Sequence, residues 1–373
     1  MRKLIYLLSV LLLFSCTKNE EPEVITTNDI NFSVTFDEDF ENTIYPSLIL
    51  ALSDYDAKQD ENFDFFRIKG TVPVEFADLK IEIEETNLNY KTTIHETING
   101  KGSDFEIRPE INWKFEALKT IDQPGNITIP FTCYIDGNEI DTKNLKLSYR
   151  SVNECIFAMM KDGEFIDMGW MFGAYVNENH PLIDPFLEDC LNNELVTSFS
   201  GYQDTSLTSV LSQVFSIWFE LQKQGVKYSS ITNTGNNSSN IYSQHVRFFD
   251  QVYQNTQANC VDGSVFFCSV LQKIGIETFL VKVPGHMYMG FYNNKDQTQI
   301  LLLETTMIGN VNLNDYSSAE DKIKASFDSY MQALAYQNDS FFSNADKFSD
   351  AENFEYNVYE ISSLRQAILP ISR

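Results

Sequence analysis

Apolar positions along this chain follow two periods, and the change of period divides it. From Asn28 to Arg150 the period is two. Ile30, Phe32, Val34 and Phe36 alternate with their neighbours, as do Val72, Val74 and Phe76, then Leu79, Ile81 and Ile83. Ile127, Ile129, Phe131 and Cys133 repeat the pattern, and Leu145, Leu147 and Tyr149 close it. Successive strand side chains point to opposite faces, so each run predicts a strand with one buried face. Asn99–Gly100 and Asp136–Gly137–Asn138 are hairpin-turn signals. Short strands with such turns predict an antiparallel β-sandwich over residues 28–150, immunoglobulin-like in layout. Its one histidine, His95, falls on a polar strand. The unit therefore reads as a spacer or a protein-interaction module.

Beyond Ser151 helical periodicity appears. Leu207, Val210, Leu211, Val214, Ile217, Trp218 and Leu221 share one face of a helix predicted over Ser206–Gln224, and Gly225 ends it. Thr232–Asn240 is a Thr/Asn/Gly/Ser loop, predicted to be exposed and to border any cleft near Gln244. A second helix opens at Cys260, with Val261, Val265, Phe266, Ser269, Val270 and Ile274 on one face and Gly275 as its stop. Strands are predicted at Ile276–Val283, Met287–Tyr292 and Ile300–Thr305. A helix follows over Ala319–Tyr336, and the mixed tail Phe354–Pro370 is expected to pack back on this domain. The predicted class is α+β: a β-sandwich, then a helix-plus-antiparallel-sheet domain over residues 151–373.

The N-terminus changes the picture of location. Arg2–Lys3 precede the apolar run Leu4–Phe14, a secretory leader too short for a mature membrane span. Residues 1–15 are thus expected to be removed. Leu13–Phe14–Ser15–Cys16 resembles a bacterial lipobox, which implies lipidation of Cys16. Residues 16–27 then form an acidic tether, similar to the surface-export signal of some bacterial lipoproteins. The expectation is a cell-envelope protein, lipid-anchored at the outer membrane, with no other membrane contact. A formal net charge of −26 repels phosphate backbones, so nucleic acid is not an expected partner. The composition is that of a globular chain, with 43% hydrophobic and 21% charged residues. Six cysteines are too few for a disulfide scaffold; pairing among Cys133, Cys155 and Cys190 is left open. No cysteine or histidine spacing predicts a metal site, and no cofactor is expected. Asn126–Ile127–Thr128 and Asn237–Ser238–Ser239 match glycosylation sequons by chance in such a protein.

Chemistry concentrates between Asn259 and Gly309. Cys260 opens a helix, where the dipole favours a thiolate and free backbone N–H groups are available to an oxyanion. His286 starts a strand, and Glu304 lies near the end of the next. In an antiparallel meander those two positions are neighbours. A thiol nucleophile, an imidazole base and a carboxylate to orient it are the parts of thiol acyl transfer. A cysteine in a helix is more often a small buried apolar group. Cys268, among Phe266, Phe267 and Leu271, fits that reading; Cys260, beside polar Asn259 and Asp262, does not. A strand-end glutamate is often merely solvated. His245 reads as structural or as an edge of the substrate site.

These residues carry a resemblance. Cys260 through Ile276, the Pro284–Gly285–His286 turn and Glu304–Thr305–Thr306 resemble the transglutaminase-like superfamily, whose fold is related to papain-type cysteine proteases. Gln244–His245–Val246–Arg247 and the segment from Ala174 to Pro181 are similar to further motifs of a bacterial branch. The likeness covers roughly residues 150 to 310. It implies a Cys260–His286–Glu304 triad, with Gln244 and Asn259 as oxyanion or substrate-binding candidates. The family commonly has aspartate where this chain has Glu304, and glycine-rich sequence where it has Ala258–Asn259. The implied activity is hydrolysis or acyl transfer on peptide or carboxamide bonds of a protein or peptide substrate. The alternative is a non-catalytic module of the same fold that grips a peptide; a glycan-binding lipoprotein has only the aromatic content in its favour. Calcium-loop spacing is absent.

Overall fold

The computed structural model describes residues 24–53, 65–161, 163–204, 206, 208–230, 238–350 and 353–373. The leader, Cys16, the tether up to Glu23, Leu207 and residues 232–237 of the 232–240 loop lie outside the described residues. Among the described residues no helix is long and apolar enough to cross a membrane.

The chain is α+β, built from several mainly antiparallel sheets and helices. In the N-terminal part, a three-stranded sheet (Ser33–Phe36, Phe66–Thr71, Asp104–Ile107) accompanies a five-stranded one. Phe66 of the first meets Phe131 of the second, ring centroids 6.1 Å apart, and both side chains are fully buried. The long strands Gly125–Ile135 and Asn138–Tyr149 pair around the Asp136–Gly137 turn, where both residues take positive φ. Asp136 tolerates that conformation and Gly137 carries no penalty for it.

The sequence pattern errs here in two ways. The unit is not all-β: Thr27–Ile30, Pro46–Ala51 and Phe115–Lys119 are short helices. Thr43–Ile44 also pairs parallel, not antiparallel, with Asn138–Tyr149. Proline at the first position of Pro46–Ala51 presets helical φ, and the helix is buried on every side. Ser47 donates to the Glu154 carbonyl at 2.6 Å, tying this helix to the C-terminal part. The second error is at Ile30 and Val72. Their alternation continues strands in the sequence, whereas Ile30 ends a helical turn and Val72 follows a strand.

The C-terminal part is organised by a four-stranded antiparallel sheet. Its strand order is Ile300–Leu303, His286–Tyr292, Thr278–Val283, Asn357–Glu360. The helix Cys260–Lys273 packs on one face, burying Val265, Phe266, Val270 and Leu271. The opposite face closes a smaller cluster of Phe279, Val281, Tyr288 and Leu302 under Phe341 of the long helix Ala319–Ser343 and Phe348 just beyond it. Gly290 sits where a Cβ would strike the Phe279 ring, so a larger residue there would displace the pair. The fourth strand comes from the tail, beyond the long helix Ala319–Ser343. A second sheet orders Glu164–Asp167, Glu154–Lys161 and Ile241–His245.

The tail also joins the two parts. Leu369 N–H donates to Ala51, Ile371 N–H to Ala174, and Arg373 pairs with Asp122 at 2.8 Å. One continuous set of buried side chains runs from Ile30 to Ile371. Truncating Phe131 to alanine removes a fully buried ring shared by both N-terminal sheets, which should cost about 3–5 kcal/mol. Because the core is continuous, urea midpoints read at Trp113 and at Trp218, one tryptophan kept at a time, should fall together. A shift confined to Trp113 would contradict a joint core.

Candidate active site

Cys260 is the first residue of its helix, and the sequence around it fixes that start. Asn259 is extended and its Oδ1 accepts the N–H groups of Val261 and Asp262, both at 2.9 Å. Asp262 in turn accepts the Asn259 N–H at 2.9 Å, completing a reciprocal cap. The same carboxylate accepts the Arg247 N–H at 2.8 Å and pairs with its guanidinium at 2.6 Å. Asp262 is fully buried and Arg247 nearly so. Burial lifts the Asp262 carboxyl above its usual range, while the bonds from Arg247 and Asn259 work in the opposite direction. The backbone that carries Cys260 is thereby anchored to the Ile241–His245 strand region.

This capping corrects two expectations. The N–H groups of Val261 and Asp262 are not free for an oxyanion, because Asn259 takes both. Asn259 is accordingly the helix cap, its side-chain oxygen spent on the backbone. Among the described residues, the Cys260 N–H is the group in this turn that makes no hydrogen bond.

His286 opens the strand His286–Tyr292, next to the Gly285 turn with its φ of 68°. Its Nε2 donates to Glu304 Oε2 at 2.7 Å. The Cys260 side chain acts on the same imidazole, and with Nε2 engaged by Glu304 the Nδ1 nitrogen is the one left over. Burial pulls the His286 imidazole down, but the bonds with Cys260 and Glu304 outweigh it, and it is pushed up to about 10. Glu304 is 3% exposed. Its Oε1 accepts the Thr306 N–H at 3.0 Å and the Thr306 hydroxyl at 2.6 Å. Burial works to raise the Glu304 carboxyl; the bonds from His286 and Thr306 hold it below its usual range.

The sequence pattern put Glu304 inside a strand. It is instead the N-cap of the short turn Thr305–Asn310 that follows Ile300–Leu303. That turn is pressed onto the Cys260 helix at Gly263, where a Cβ would lie 2.6 Å from Thr305 Oγ1. Gly263 thus lets the carboxylate segment approach the nucleophile's helix. A glycine inside a helix normally costs about 1 kcal/mol relative to alanine, so this position favours proximity over helix propensity.

The other nominated residues stand as follows. Gln244 is half-buried on the Ile241–His245 strand, opposite Cys155, and makes no hydrogen bond to Cys260, His286 or Glu304 among the described residues. His245 is half-buried next to Asp262 and Arg247, and burial pulls its imidazole below the ordinary value. Cys133, Cys155, Cys190 and Cys268 are free and buried, and burial raises each thiol, Cys133 and Cys268 to about 12. Cys260 is partly exposed, so among the described thiols it is the one that solvent reaches.

One residue escaped the sequence reading. Tyr228 lies on Lys227–Tyr228, a two-residue strand paired parallel with Gln257–Ala258, just ahead of Cys260. Gly309 closes against it, where a Cβ would stand 3.2 Å from Lys227 Cα. Burial raises the Tyr228 phenol above its usual value, and the nearby charges of Cys260 and Glu304 raise it further. Two strand residues carry no periodicity; the signal was an exposed aromatic before a polar loop.

No protein-family model matches the chain, and no curated protein matches it in sequence.

The His286 shift has a sign that can be checked. Its folded value lies above the unfolded one, so its contribution to stability is complete below about 6.5 and lost as pH rises through about 10. Glu304 is depressed, so its share is present above about 4.5 and lost as pH falls through its folded value. The pair is therefore whole across neutral pH. In an NMR titration the His286 ring should stay protonated at pH 8, and Glu304→Gln should bring its midpoint down toward about 6.5. A wild-type midpoint near the free-imidazole value would contradict the pairing.

Proposed function

We propose that this protein is a cysteine acyl-transfer enzyme of the transglutaminase-like, papain-related kind, acting on peptide or carboxamide bonds. The observation that carries the reading is the His286–Glu304 bond beside the partly exposed Cys260, with the imidazole pushed up to about 10. A surface histidine would gain no such pairing, and a binding cleft has no need of one. The resemblance of the motifs around Cys260, His286 and Glu304 supports the same conclusion, as does the arrangement of the helix on an antiparallel sheet.

The steps follow from the groups present. The sulfur attacks the carbonyl carbon as a thiolate held beside the protonated His286 imidazole, which is pushed up to about 10. The carbonyl oxygen becomes an oxyanion at the Cys260 N–H. Glu304 keeps the imidazole oriented and balances its positive charge. When the tetrahedral intermediate collapses, the C–N bond breaks, and the His286 proton goes to the departing amine or ammonia. A thioester remains on Cys260. Water, deprotonated by His286, attacks it, releasing the acid and restoring the thiol. A primary amine in place of water gives a new amide by the same steps. Hydrolysis is the favoured outcome for an envelope protein bathed in water. The leader and Cys16 support that location, and a protein or peptide is the substrate class.

Acetylation by p-nitrophenyl acetate tests the reading without knowledge of the substrate. Wild type should release nitrophenolate in a burst equal to the enzyme present, and peptide mass spectrometry should map the acetyl group to Cys260. His286→Ala should slow the burst about a hundredfold or more. No adduct in wild type, or an undiminished rate in His286→Ala, would leave a binding module as the better account.

A further inference from the structure

The intermediate proposed above needs more than one donor to its oxyanion, and the helix start supplies only one. Asn259 occupies the N–H groups of Val261 and Asp262, which leaves the Cys260 N–H. A lone backbone N–H is a poor oxyanion hole, since such sites work by converging several preorganised donors on one oxygen. A side chain at the mouth of the site can supply the second donor. Gln244 stands on the Ile241–His245 strand opposite Cys155, away from the segment that leads into Cys260.

Tyr228 is better placed. Its register partner in the parallel pair is Ala258, two residues before the nucleophile. Lys227 N–H donates to the Thr256 carbonyl at 3.0 Å and Ser229 N–H to the Ala258 carbonyl at 2.9 Å, which fixes the strand on either side of the tyrosine. Gly309 of the turn after Glu304 closes against the same strand from another direction. Tyr228 is thus held between the segment leading into Cys260 and the segment leading out of Glu304. Tyr228 is nevertheless 51% exposed, as a group that meets substrate must be. A phenol both donates and accepts, so its O–H is a group that can serve an oxyanion. The phenol's upward shift keeps that proton in place at neutral pH.

We propose that the Tyr228 hydroxyl and the Cys260 N–H together form the oxyanion hole of this site, with Tyr228 as a catalytic residue that touches the reacting oxygen. The assignment rests on the acyl-transfer reading. No covalent change occurs at Tyr228; it donates a hydrogen bond that strengthens as the carbonyl oxygen gains charge.

Two reactions of the same sulfur separate this role from a structural one. Acetylation by p-nitrophenyl acetate passes through an oxyanion, whereas alkylation by iodoacetamide does not. Tyr228→Phe should slow acetylation of Cys260 about a hundredfold and leave its alkylation rate within about twofold of wild type. Equal acetylation rates would overturn the assignment, and so would parallel losses in both reactions, which would mark a residue that merely shapes the site. A loss in Gln244→Ala with none in Tyr228→Phe would return the role to Gln244. Absence of acetylation in wild type would overturn the acyl-transfer reading and this one with it, whereas normal wild-type acetylation with an unaffected Tyr228→Phe would overturn this one alone.

Discussion

A single buried carboxylate holds the site together. Asp262 has no exposed surface, and a charge in that position is costly unless it is paired and hydrogen-bonded. It meets the condition with the Arg247 guanidinium, the Arg247 N–H and the Asn259 N–H. The partners belong to two pieces of local structure, the segment after the Ile241–His245 strand and the cap of the nucleophile's helix, and Asp262 ties both to the helix itself. A hydrophobic residue at this position would pack as well, yet would leave those donors without acceptors. The ion pair thus buys register more than stability, and the register is that of Cys260 against the rest of the domain.

The second constraint is distance. A glutamate reaches one methylene further than an aspartate, so the backbone bearing it must sit differently for the carboxylate to meet His286. Here Glu304 has left the strand and caps the turn Thr305–Asn310, while Thr306 holds its second oxygen. Gly263 admits that turn against the helix. The glutamate cap and the glycine in the helix act together, the first placing the carboxylate and the second admitting its turn.

Much of this was legible in the sequence because it depends on local pattern. Cys260 at a helix start follows from Asn259 and Asp262 flanking an apolar period. His286 at a strand start follows from Pro284–Gly285, and its meeting with Glu304 from antiparallel pairing. What was not legible depends on pairings far apart in the chain. The tail strand Asn357–Glu360 joins a sheet whose other members end more than fifty residues earlier. The helix Pro46–Ala51 is buried by contacts from both parts of the chain, so its apolar surface has no single face. At the site, the free helix N–H groups expected from the sequence are taken by Asn259, because a cap that stabilises the helix competes with a ligand for the same donors.

The central claim is that His286 activates the sulfur of Cys260, and the reactivity of that sulfur measures it most directly. Alkylation by iodoacetamide at pH 6, mapped to Cys260 by peptide mass spectrometry, should be about tenfold or more faster in wild type than in His286→Ala. Cys133, Cys155, Cys190 and Cys268 should stay unlabelled in the folded protein, being buried. Equal rates at Cys260 in the two proteins would contradict the account, since the histidine would then be a neighbour of the thiol and not its base.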